Sequence, residues 1–375
     1  MKNYNICLCA DNDYIKYVAV LVNSIIEHLT FNKNEQIVFH LFCKDISEYN
    51  RIKLDEFISI LNDKFLVQLK IYNCDDEKYT NFQRWGENSN YSTYLRFAIS
   101  ELSDEINKIL YLDSDMLCYS DIREIFKIDL DGKTAAVAID PYKIGDSFIR
   151  FRPKKLFYPA KKLDLSIHKY FNAGLLLINL PRWKSKKISE KAIEFLTKYK
   201  APLNDQDALN FVLRGDVNYI SPKWNLMWNW YMDEFLDIRK DILKKLSLSD
   251  KKYLNPYDNL TKGIVHFASH YKPWKFKYYV ITDGYCDKIP SVLQRDYMKS
   301  ACNTVCFGDN FNFTNNKNDM LASYQEDLGF WLTHILKPRY IRNKKRIKRV
   351  KIFSVLCLCL FIIELFLVVT INYFD

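Results

Sequence analysis

Glycine is scarce in this chain, with 9 among 375 residues, and neither a P-loop nor a G-x-G-x-x-G segment occurs. Their absence argues against the nucleotide sites that are built on those loops. The 10 cysteines include no C-x-x-C pair, which argues against a zinc site, and most fall within apolar runs, as expected for core residues in a reducing compartment. The first 12 residues lack an apolar stretch of signal-peptide length, so we expect no secretion signal.

The positive charge of the chain is concentrated near its C-terminal end. The formal net charge is +10, and residues 337–351 hold nine Lys or Arg and no acid. Without these nine charges and the two acids that follow them, residues 1–336 carry a net charge of +3. This distribution excludes a broadly basic nucleic-acid-binding domain, so we expect no nucleic acid partner and an anionic surface at the tail.

A membrane is the expected anionic surface. Residues 352–374 are almost entirely apolar, with Glu364 as their one charge, and are long enough to cross a bilayer. The basic run before them would lie on the cytoplasmic face. A helix that lies in the interface, without crossing it, is the alternative that Glu364 keeps open.

Strands and helices are predicted to alternate along the rest of the chain. The predicted strands cover residues 5–10, 36–43, 66–72, 135–139 and 175–180, and the predicted helices cover residues 14–29, 47–61 and 92–99. This alternation predicts an α/β fold with a mostly parallel central sheet. Ligands of such sheets bind at the carboxyl ends of the strands, where Asp11, Asp13 and Asp140 are expected.

Residues 108–117, KILYLDSDML, form an apolar strand that ends in two carboxylates, Asp113 and Asp115. In an extended segment these two side chains project together while Ser114 points away, so they can share one Mn²⁺ or Mg²⁺. Short Asp-x-Asp patterns also occur in solvated turns. A metal would remove the repulsion between two adjacent carboxylates, so the position after a buried strand favours a metal site.

Three later segments add candidate ligands. Residues 170–174, YFNAG, precede an apolar strand, and their small residues would let a ligand approach the backbone closely. Residues 203–207, LNDQD, are expected to cap a helix with Asn204 or Asp205. Residues 266–274, HFASHYKPW, offer an imidazole for a metal and a lysine for phosphate. A lone histidine is more often structural, but His266 and Lys272 together with the paired carboxylates favour a metal–diphosphate site.

Residues 143–169 are interpreted as a basic loop beside Asp140. This loop could meet phosphorylated sugars or lipid headgroups, and a merely solvated loop explains it equally well. Its cationic residues include Lys143, Arg150, Arg152, Lys154, Lys155, Lys161 and Lys162.

Six motifs in order over about residues 3–280 resemble the retaining glycosyltransferase family 8: CLCADNDY, STYLRF, KILYLDSDMLC, YFNAGLLLINL, NDQDALN and HFASHYKPW. That family includes lipopolysaccharide galactosyl- and glucosyltransferases and, more distantly, glycogenin. The resemblance implies a GT-A fold, a Rossmann-like domain that uses Mn²⁺ or Mg²⁺ to hold a UDP-hexose. The implied reaction moves glucose or galactose to a saccharide acceptor, expected to be lipopolysaccharide or another membrane-linked glycan.

The resemblance also implies a role for each matching residue. Asp113, Asp115 and His266 resemble the metal ligands, and Lys272 resembles the lysine that grips the diphosphate. Asp11 resembles the residue at the uracil edge, and Arg96 the arginine at the donor sugar or diphosphate. Further UDP-sugar-binding positions are Ala10, Asp13, Ser114, Asn172, Ala173 and Ser269. The candidate catalytic residues of the sugar pocket are Gln206, Asp205 and Asp140.

Two positions depart from the family pattern, since Asp13 replaces a usual Asn and Ser269 replaces a usual loop Gly. The position where a nucleophile could act holds Gln206, a poor nucleophile beside Asp205 and Asp207. We therefore expect front-face transfer, in which the leaving UDP accepts the proton of the acceptor hydroxyl, in preference to a double displacement.

Two other function classes remain open: a nucleotidyltransferase acting on sugar phosphates, and a membrane-tethered sugar-nucleotide-binding protein without catalysis. The expected organisation is a catalytic domain over residues 1–280, a linker and small helical region over 281–336, and a basic segment with an apolar anchor over 337–375. The anchor would span or lie on the cytoplasmic face of a membrane, the bacterial inner membrane being expected.

Overall fold

The computed structural model describes residues 1–83, 91–143, 146–165, 167–227, 263–268, 272–274, 296–297, 300–301 and 304. All of these residues belong to one compact unit. Its strands are β1 Lys2–Asp11, β2 Glu35–Lys44, β3 Val67–Asn73, β4 Lys108–Leu112, β5 Met116–Cys118, β6 Ala135–Ile139, β7 Phe148–Pro153, β8 Lys161–Asp164, β9 Phe171–Asn179, β10 Tyr199–Lys200, β11 Val217–Tyr219, β12 Leu226–Met227 and β13 Ile264–His266. Its α-helices are α1 Ile15–Glu27, α2 Glu48–Leu61, α3 Arg123–Phe126, α4 Leu180–Ser185, α5 Ile188–Lys198 and α6 Asn204–Val212.

A seven-stranded sheet forms the centre of this unit, in the order β11-β6-β9-β4-β1-β2-β3. All neighbouring strands in it are parallel except β9, which runs antiparallel to both β4 and β6. The prediction of an α/β fold with a mostly parallel sheet is confirmed. β1, β2 and β6 are buried along most of their length because helices or loops cover both faces of the sheet there, whereas the edge strands β3 and β11 are only partly buried.

The helix predicted at residues 92–99 is a 3₁₀ helix, Ser92–Glu101. Its large aromatic residues recur every third position, at Tyr91, Tyr94 and Phe97, and all three are buried. Since a 3₁₀ helix has three residues per turn, this spacing places the three rings in one row. Neighbouring ring centroids lie 6.5 Å and 6.3 Å apart.

Three local predictions are wrong in detail. Residues 171–174 lie inside β9 and do not precede it, because pairing with β6 continues to Phe171. The N-cap of α6 is Leu203, and no side chain caps that helix; instead the Asp207 carboxylate accepts a hydrogen bond from the Leu203 amide at 2.8 Å. The basic loop is in fact an antiparallel hairpin of β7 and β8.

The strand predicted over residues 108–117 is also divided in two. β4 ends at Leu112 in the central sheet, and β5 begins at Met116 in a second sheet of order β12-β13-β5. Residues 113–115 therefore connect two sheets, and this connection carries both carboxylates of the candidate metal site.

Among the described residues, none of the helices has the length and apolar character needed to cross a membrane. The proposed tail at residues 337–375 and nearly all of residues 281–336 lie outside the described residues. The expected domain organisation therefore stays a prediction.

Candidate active site

Three predicted metal ligands converge in the structure. One ligand atom from each of Asp113, Asp115 and His266 lies within 4.8 Å of the other two. The His266 Nε2 atom is 3.2 Å from Asp115 Oδ1 and 3.7 Å from Asp113 Oδ2. His266 is buried, with 2% of its surface exposed, so its ring is held by the surrounding protein.

Strand pairing brings His266 to the two carboxylates although the sequence separates them widely. β13 runs antiparallel to β5, with His266 opposite Met116. The Phe267 amide then donates to the Asp115 carbonyl at 2.9 Å. On the other side, the Asp113 amide donates to the Gly174 carbonyl of β9 at 2.8 Å. Each end of the 113–115 connection is thus tied to a neighbouring segment.

A chain of hydrogen-bonded side-chain amides determines which nitrogen of His266 carries the proton. The Gly174 amide donates to Asn172 Oδ1 at 2.9 Å, and a backbone N–H can only donate. Asn172 Oδ1 must then accept from Asn225 Nδ2, also at 2.9 Å. Asn225 Oδ1 therefore faces His266 Nδ1 at 2.8 Å and accepts its proton. This tautomer leaves a lone pair on Nε2, which points at Asp113 and Asp115.

The same amide chain continues to Gln206 and Asp140. Gln206 Oε1 accepts from the Ala173 amide and from Asn172 Nδ2, each at 3.0 Å. Its Nε2 donates to Asp140 Oδ2 at 3.0 Å. The predicted sugar-pocket residues Asn172, Ala173, Gln206 and Asp140 are thus joined in one network with the candidate metal ligand His266. Asp140 is buried, and burial raises the pKa of its carboxyl.

Gly174 lies directly beneath this cluster. A Cβ atom at this position would be 2.3 Å from His266 Cε1, 2.8 Å from Asp113 Oδ2 and 2.9 Å from Asn172 Oδ1. All three distances are shorter than ordinary van der Waals contacts. Glycine is required here because β9 passes so close to the ligands, which agrees with the close approach expected of residues 170–174.

Arg96 lies between two carboxylates. Its guanidinium is 2.9 Å from Asp113 Oδ1 and 3.0 Å from Asp205 Oδ2, and only 6% of the residue is exposed. Burial raises the pKa of Asp205 to about 6, although the positive charge of Arg96 acts in the opposite direction. Tyr111 also donates to Asp113 Oδ1, at 2.7 Å. Asp113 is therefore fixed on one side by two donors while its Oδ2 faces His266.

Lys272 pairs with the second carboxylate. Its Nζ contacts Asp115 Oδ2 and also donates to the Phe267 carbonyl at 2.7 Å. Burial opposes ionisation of Asp115, yet the positive charge of Lys272 holds the pKa of this carboxyl well below its usual range. The lysine predicted for the diphosphate thus lies at the metal-ligand cluster.

The remaining predicted donor-site residues occupy the end of β1 and its surroundings. Asp11 is the last residue of β1 and accepts a hydrogen bond from the Tyr14 amide at 2.9 Å. Asp13 is exposed in the following turn, and Ala10 is buried in the strand. Ser114 is buried, and its hydroxyl donates to the Cys9 carbonyl at 2.8 Å, away from the carboxylates as predicted. Ser269 lies outside the described residues.

An aromatic group beside Asp11 was not predicted. Tyr17 stacks on Trp274 with ring centroids 3.9 Å apart, and Tyr14 meets Trp274 edge-on at 6.3 Å. Tyr14 is 37% exposed, and burial together with the charges of Asp115 and Asp11 raises the pKa of its hydroxyl to about 12. The sequence did offer a signal for Tyr14, because this residue lies three positions after Asp11 and ends the first motif, CLCADNDY.

Asn225 and Gly174 were likewise not singled out from the sequence as individual site residues. Gly174 ends the recognised YFNAG segment, so its place directly after the predicted site residues Asn172 and Ala173 was a usable signal. Asn225 lies 41 residues before its partner His266 and belongs to no recognised motif. Only the pairing of β12 with β13 brings the two residues together.

Comparisons with known proteins support the family that the sequence motifs resemble. The family model of Glycosyl transferase family 8 matches residues 5–277. The lipopolysaccharide 1,3-galactosyltransferase of Salmonella typhimurium is 27% identical over 277 residues, which cover 72% of this chain and 73% of the relative. A lipopolysaccharide 1,2-glucosyltransferase of Escherichia coli strain K12 is 24% identical over 280 residues, covering 72% of each chain.

The fold is also that of solved glycosyltransferases. A crystal structure of the galactosyltransferase LgtC with donor and acceptor sugar analogs superposes with a TM-score of 0.60 at 22% identity, covering 80% of this chain and 95% of the other. This likeness supports the GT-A fold that the motifs implied, and the matches together confirm the expectation of a hexosyltransferase enzyme. Because the family model matches most of its length, the chain belongs to glycosyl transferase family 8.

Proposed function

We propose that this enzyme is a divalent-metal-dependent, retaining hexosyltransferase that moves glucose or galactose from a UDP-sugar to a saccharide acceptor. The observation that carries the proposal is the convergence of Asp113, Asp115 and His266 with Lys272. These four groups combine a cation site with a phosphate-binding charge, which is what a sugar nucleotide diphosphate requires.

The three ligands fit either Mn²⁺ or Mg²⁺, and the imidazole nitrogen among them makes Mn²⁺ the better match. Carboxylate oxygens suit both ions, and an imidazole nitrogen favours the transition metal. His266 presents a lone pair on Nε2 because its Nδ1 proton is held by Asn225. When bound, such an ion would stabilise the negative charge that develops on the diphosphate as the glycosidic bond breaks.

The groups around β1 suit the nucleoside end of the donor. Tyr14 offers a partly exposed ring, on whose face a uracil base can stack. Asp11 lies three residues away with a carboxylate that can accept a hydrogen bond from an N–H on the edge of the base. Lys272 lies within 5.9 Å of the Trp274 ring centroid, beside the same aromatic group. A donor could therefore extend from Tyr14 to the metal ligands.

The contacts of Gln206 and Asp205 favour front-face transfer. Gln206 Oε1 already accepts two hydrogen bonds, which lowers the nucleophilicity of an amide oxygen further. Both oxygens of Asp205 are engaged, one by Thr93 Oγ1 at 3.0 Å and the other by Arg96. With both groups held in this way, the proton of the acceptor hydroxyl would pass to an oxygen of the leaving UDP. Trapping of a glycosyl adduct on Gln206 or Asp205 would contradict this step.

The acceptor is proposed to be lipopolysaccharide or another membrane-linked glycan. Two relatives are named for transfer to lipopolysaccharide, and residues 337–374 combine a basic run with an apolar segment. Such a tail would hold the enzyme at the cytoplasmic face of the membrane and raise its effective concentration near the acceptor. Deleting residues 337–375 should release the protein to the soluble fraction while UDP-sugar hydrolysis persists. A truncated chain that stays with membranes after a salt wash would contradict this assignment.

A donor screen tests the proposed reaction directly. Purified full-length protein is incubated with single UDP-sugars with and without Mn²⁺, and released UDP is measured. We expect release from UDP-glucose or UDP-galactose that requires the metal and is lost in Asp115→Asn. The exposed, remote Asp63→Asn is the matched control and should behave as wild type. Formation of a sugar nucleotide with release of pyrophosphate would instead show a nucleotidyltransferase, and failure of every UDP-sugar would refute the proposal.

A further inference from the structure

The β7–β8 hairpin, residues 148–164, is inserted between two site residues. Asp140 precedes it at the end of β6, and Asn172 follows it in β9. The hairpin is fixed to the body of the protein by Phe151 and Leu163, which are 0% and 1% exposed. β10 adds a third strand to β7. Any surface that binds the hairpin would therefore be held in a defined orientation to the active site.

The hairpin carries an excess of positive charge, and its one acid, Asp164, is the last residue of β8. Residues 147–163 contain six cationic side chains and no Asp or Glu. Among the described residues, none of the six takes part in a salt bridge, and only Lys154 is bound to backbone elsewhere, donating to the Asn81 carbonyl at 3.2 Å. The six are Arg150, Arg152, Lys154, Lys155, Lys161 and Lys162.

The tip of the hairpin exposes large apolar side chains between these cations. Leu156 is 104% exposed and Phe157 is 73% exposed, values that are high for large apolar residues. Further down the hairpin, Phe148 is 39% exposed, and Arg150 and Lys162 lie over its ring at 4.8 Å and 4.6 Å. Apolar side chains at a tip, with cations behind them, match the two layers of a bilayer surface: acyl chains below and anionic headgroups above.

We propose that the tip of this hairpin docks on an anionic membrane surface, with Leu156 and Phe157 inserted at the level of the acyl chains and the lysines at the headgroups. A phosphorylated saccharide would explain the cations and could pack on the ring of Phe157, but such a polar ligand is a poor partner for the aliphatic side chain of Leu156. Docking would fix the orientation of the site that holds Asp140 and Asn172 relative to the membrane. The docking itself does not depend on the proposed function. Its use, which is to orient the site for transfer to a membrane-linked acceptor, rests on that proposed function.

Local hydrogen–deuterium exchange of the full-length protein tests the docking separately from any other membrane contact. The probe is a vesicle of phosphatidylcholine with 30% phosphatidylglycerol by mole, compared with pure phosphatidylcholine. We expect peptides from residues 148–164 to exchange more slowly on the anionic vesicles only. In Leu156→Ser/Phe157→Ser this protection should disappear, because losing the partial burial of two such side chains should weaken the local docking equilibrium of the hairpin about tenfold or more.

Matched variants control for general effects of hydrophobicity and charge. Phe31→Ser removes another exposed aromatic residue, 59% exposed against 73% for Phe157, from the loop between α1 and β2, and should leave the protection of the hairpin unchanged. Lys161→Gln/Lys162→Gln should weaken the local docking equilibrium about 25-fold, or about fivefold per lysine. Lys33→Gln/Lys64→Gln makes the same change of net charge at two exposed, remote lysines and should have little effect.

Two outcomes would overturn the proposal. One is exchange of the hairpin that is the same with and without anionic vesicles, whatever the rest of the chain does. The other is slower exchange of the hairpin when a soluble phosphorylated saccharide is added without vesicles. If that protection persists in Leu156→Ser/Phe157→Ser, the hairpin is an acceptor-phosphate site. UDP release is measured on the same samples. If the proposed reaction is wrong, wild type and every variant will fail to release UDP, whereas a wrong docking proposal changes only the exchange of the hairpin.

Discussion

Replacing Gly174 by alanine is the most direct perturbation of the candidate metal site. The new Cβ would lie 2.3 Å from His266 Cε1, whereas carbon atoms in contact are about 3.5 Å or more apart. His266 must therefore retreat by about 1 Å, or β9 must move by a similar distance. Neither is easy, because the imidazole is held by Asn225 and β9 pairs with strands on both sides.

The size of the effect follows from which interactions are lost. A displacement of 1 Å lengthens the 3.2 Å approach of His266 Nε2 to Asp115 and removes one nitrogen from the ligand set. We expect the affinity for Mn²⁺ to fall at least 10- to 100-fold, the range found when the support of a ligand is removed. Turnover should fall about 10²-fold, and overpacking should lower the free energy of unfolding by about 1–3 kcal/mol.

Mn²⁺ titration by calorimetry, UDP release and denaturant unfolding measure these three quantities. Gly132→Ala is the matched control, because its Cβ would have nothing within 4 Å although its φ is +70°. It should cost about 1–2 kcal/mol of folding free energy and leave Mn²⁺ affinity unchanged. If Gly174→Ala binds Mn²⁺ as tightly as wild type, the close packing of β9 against the ligands is not what shapes the site.

Three further predictions concern single side chains. Lys272→Ala should slow transfer about 10²-fold or more, the effect of losing one preorganised charge, and a loss confined to acceptor KM would place Lys272 outside the donor site. Asn225→Ala should weaken Mn²⁺ binding 10- to 100-fold in calorimetry, whereas Asn225→Asp, which keeps an acceptor for His266 Nδ1 but loses the donor to Asn172, should weaken it less than the alanine variant; equal losses would contradict the tautomer argument. Burial raises the pKa of Asp205 to about 6, so this carboxyl binds its proton more tightly folded than unfolded. Its contribution to stability is present below about pH 4 and is lost as the pH rises through 6, and Asp205→Asn should remove that slope from urea unfolding curves between pH 4 and pH 6.

The parts of the fold that could be predicted are those with a local signal. β1 and β2 were located to within three residues at each end because most of their residues form a buried apolar run. The edge strand β3, which is only partly buried, was located to within one residue at each end from its alternation of apolar and polar residues. The hairpin was missed for the opposite reason. In β7 only Phe151 is fully buried, so neither an apolar run nor a long alternation marks it as a strand.

The same distinction applies to the site. Asp113 and Asp115 follow a recognisable strand, and His266 and Lys272 share one motif, so their types and spacing predicted a metal–diphosphate site. Asn225 could not be found in this way, because its function depends on a hydrogen bond to His266, which is distant in sequence and is brought near by the pairing of β12 with β13. The residues that hold ligands in place are therefore harder to read from sequence than the ligands themselves.

Arg96 shows how one residue can connect the ligands with the sugar pocket. The resemblance assigns it to the donor, and that role stays a prediction. In the structure its guanidinium donates to the Ala173 carbonyl at 2.8 Å as well as contacting Asp113 and Asp205. Since a buried guanidinium without these partners would be strongly unfavourable, the three groups must keep their positions together. Any motion of Asp205, a predicted sugar-pocket residue, is thereby coupled to Asp113 of the candidate metal site, and we expect Arg96 to influence a donor through Asp113 even where it does not touch it.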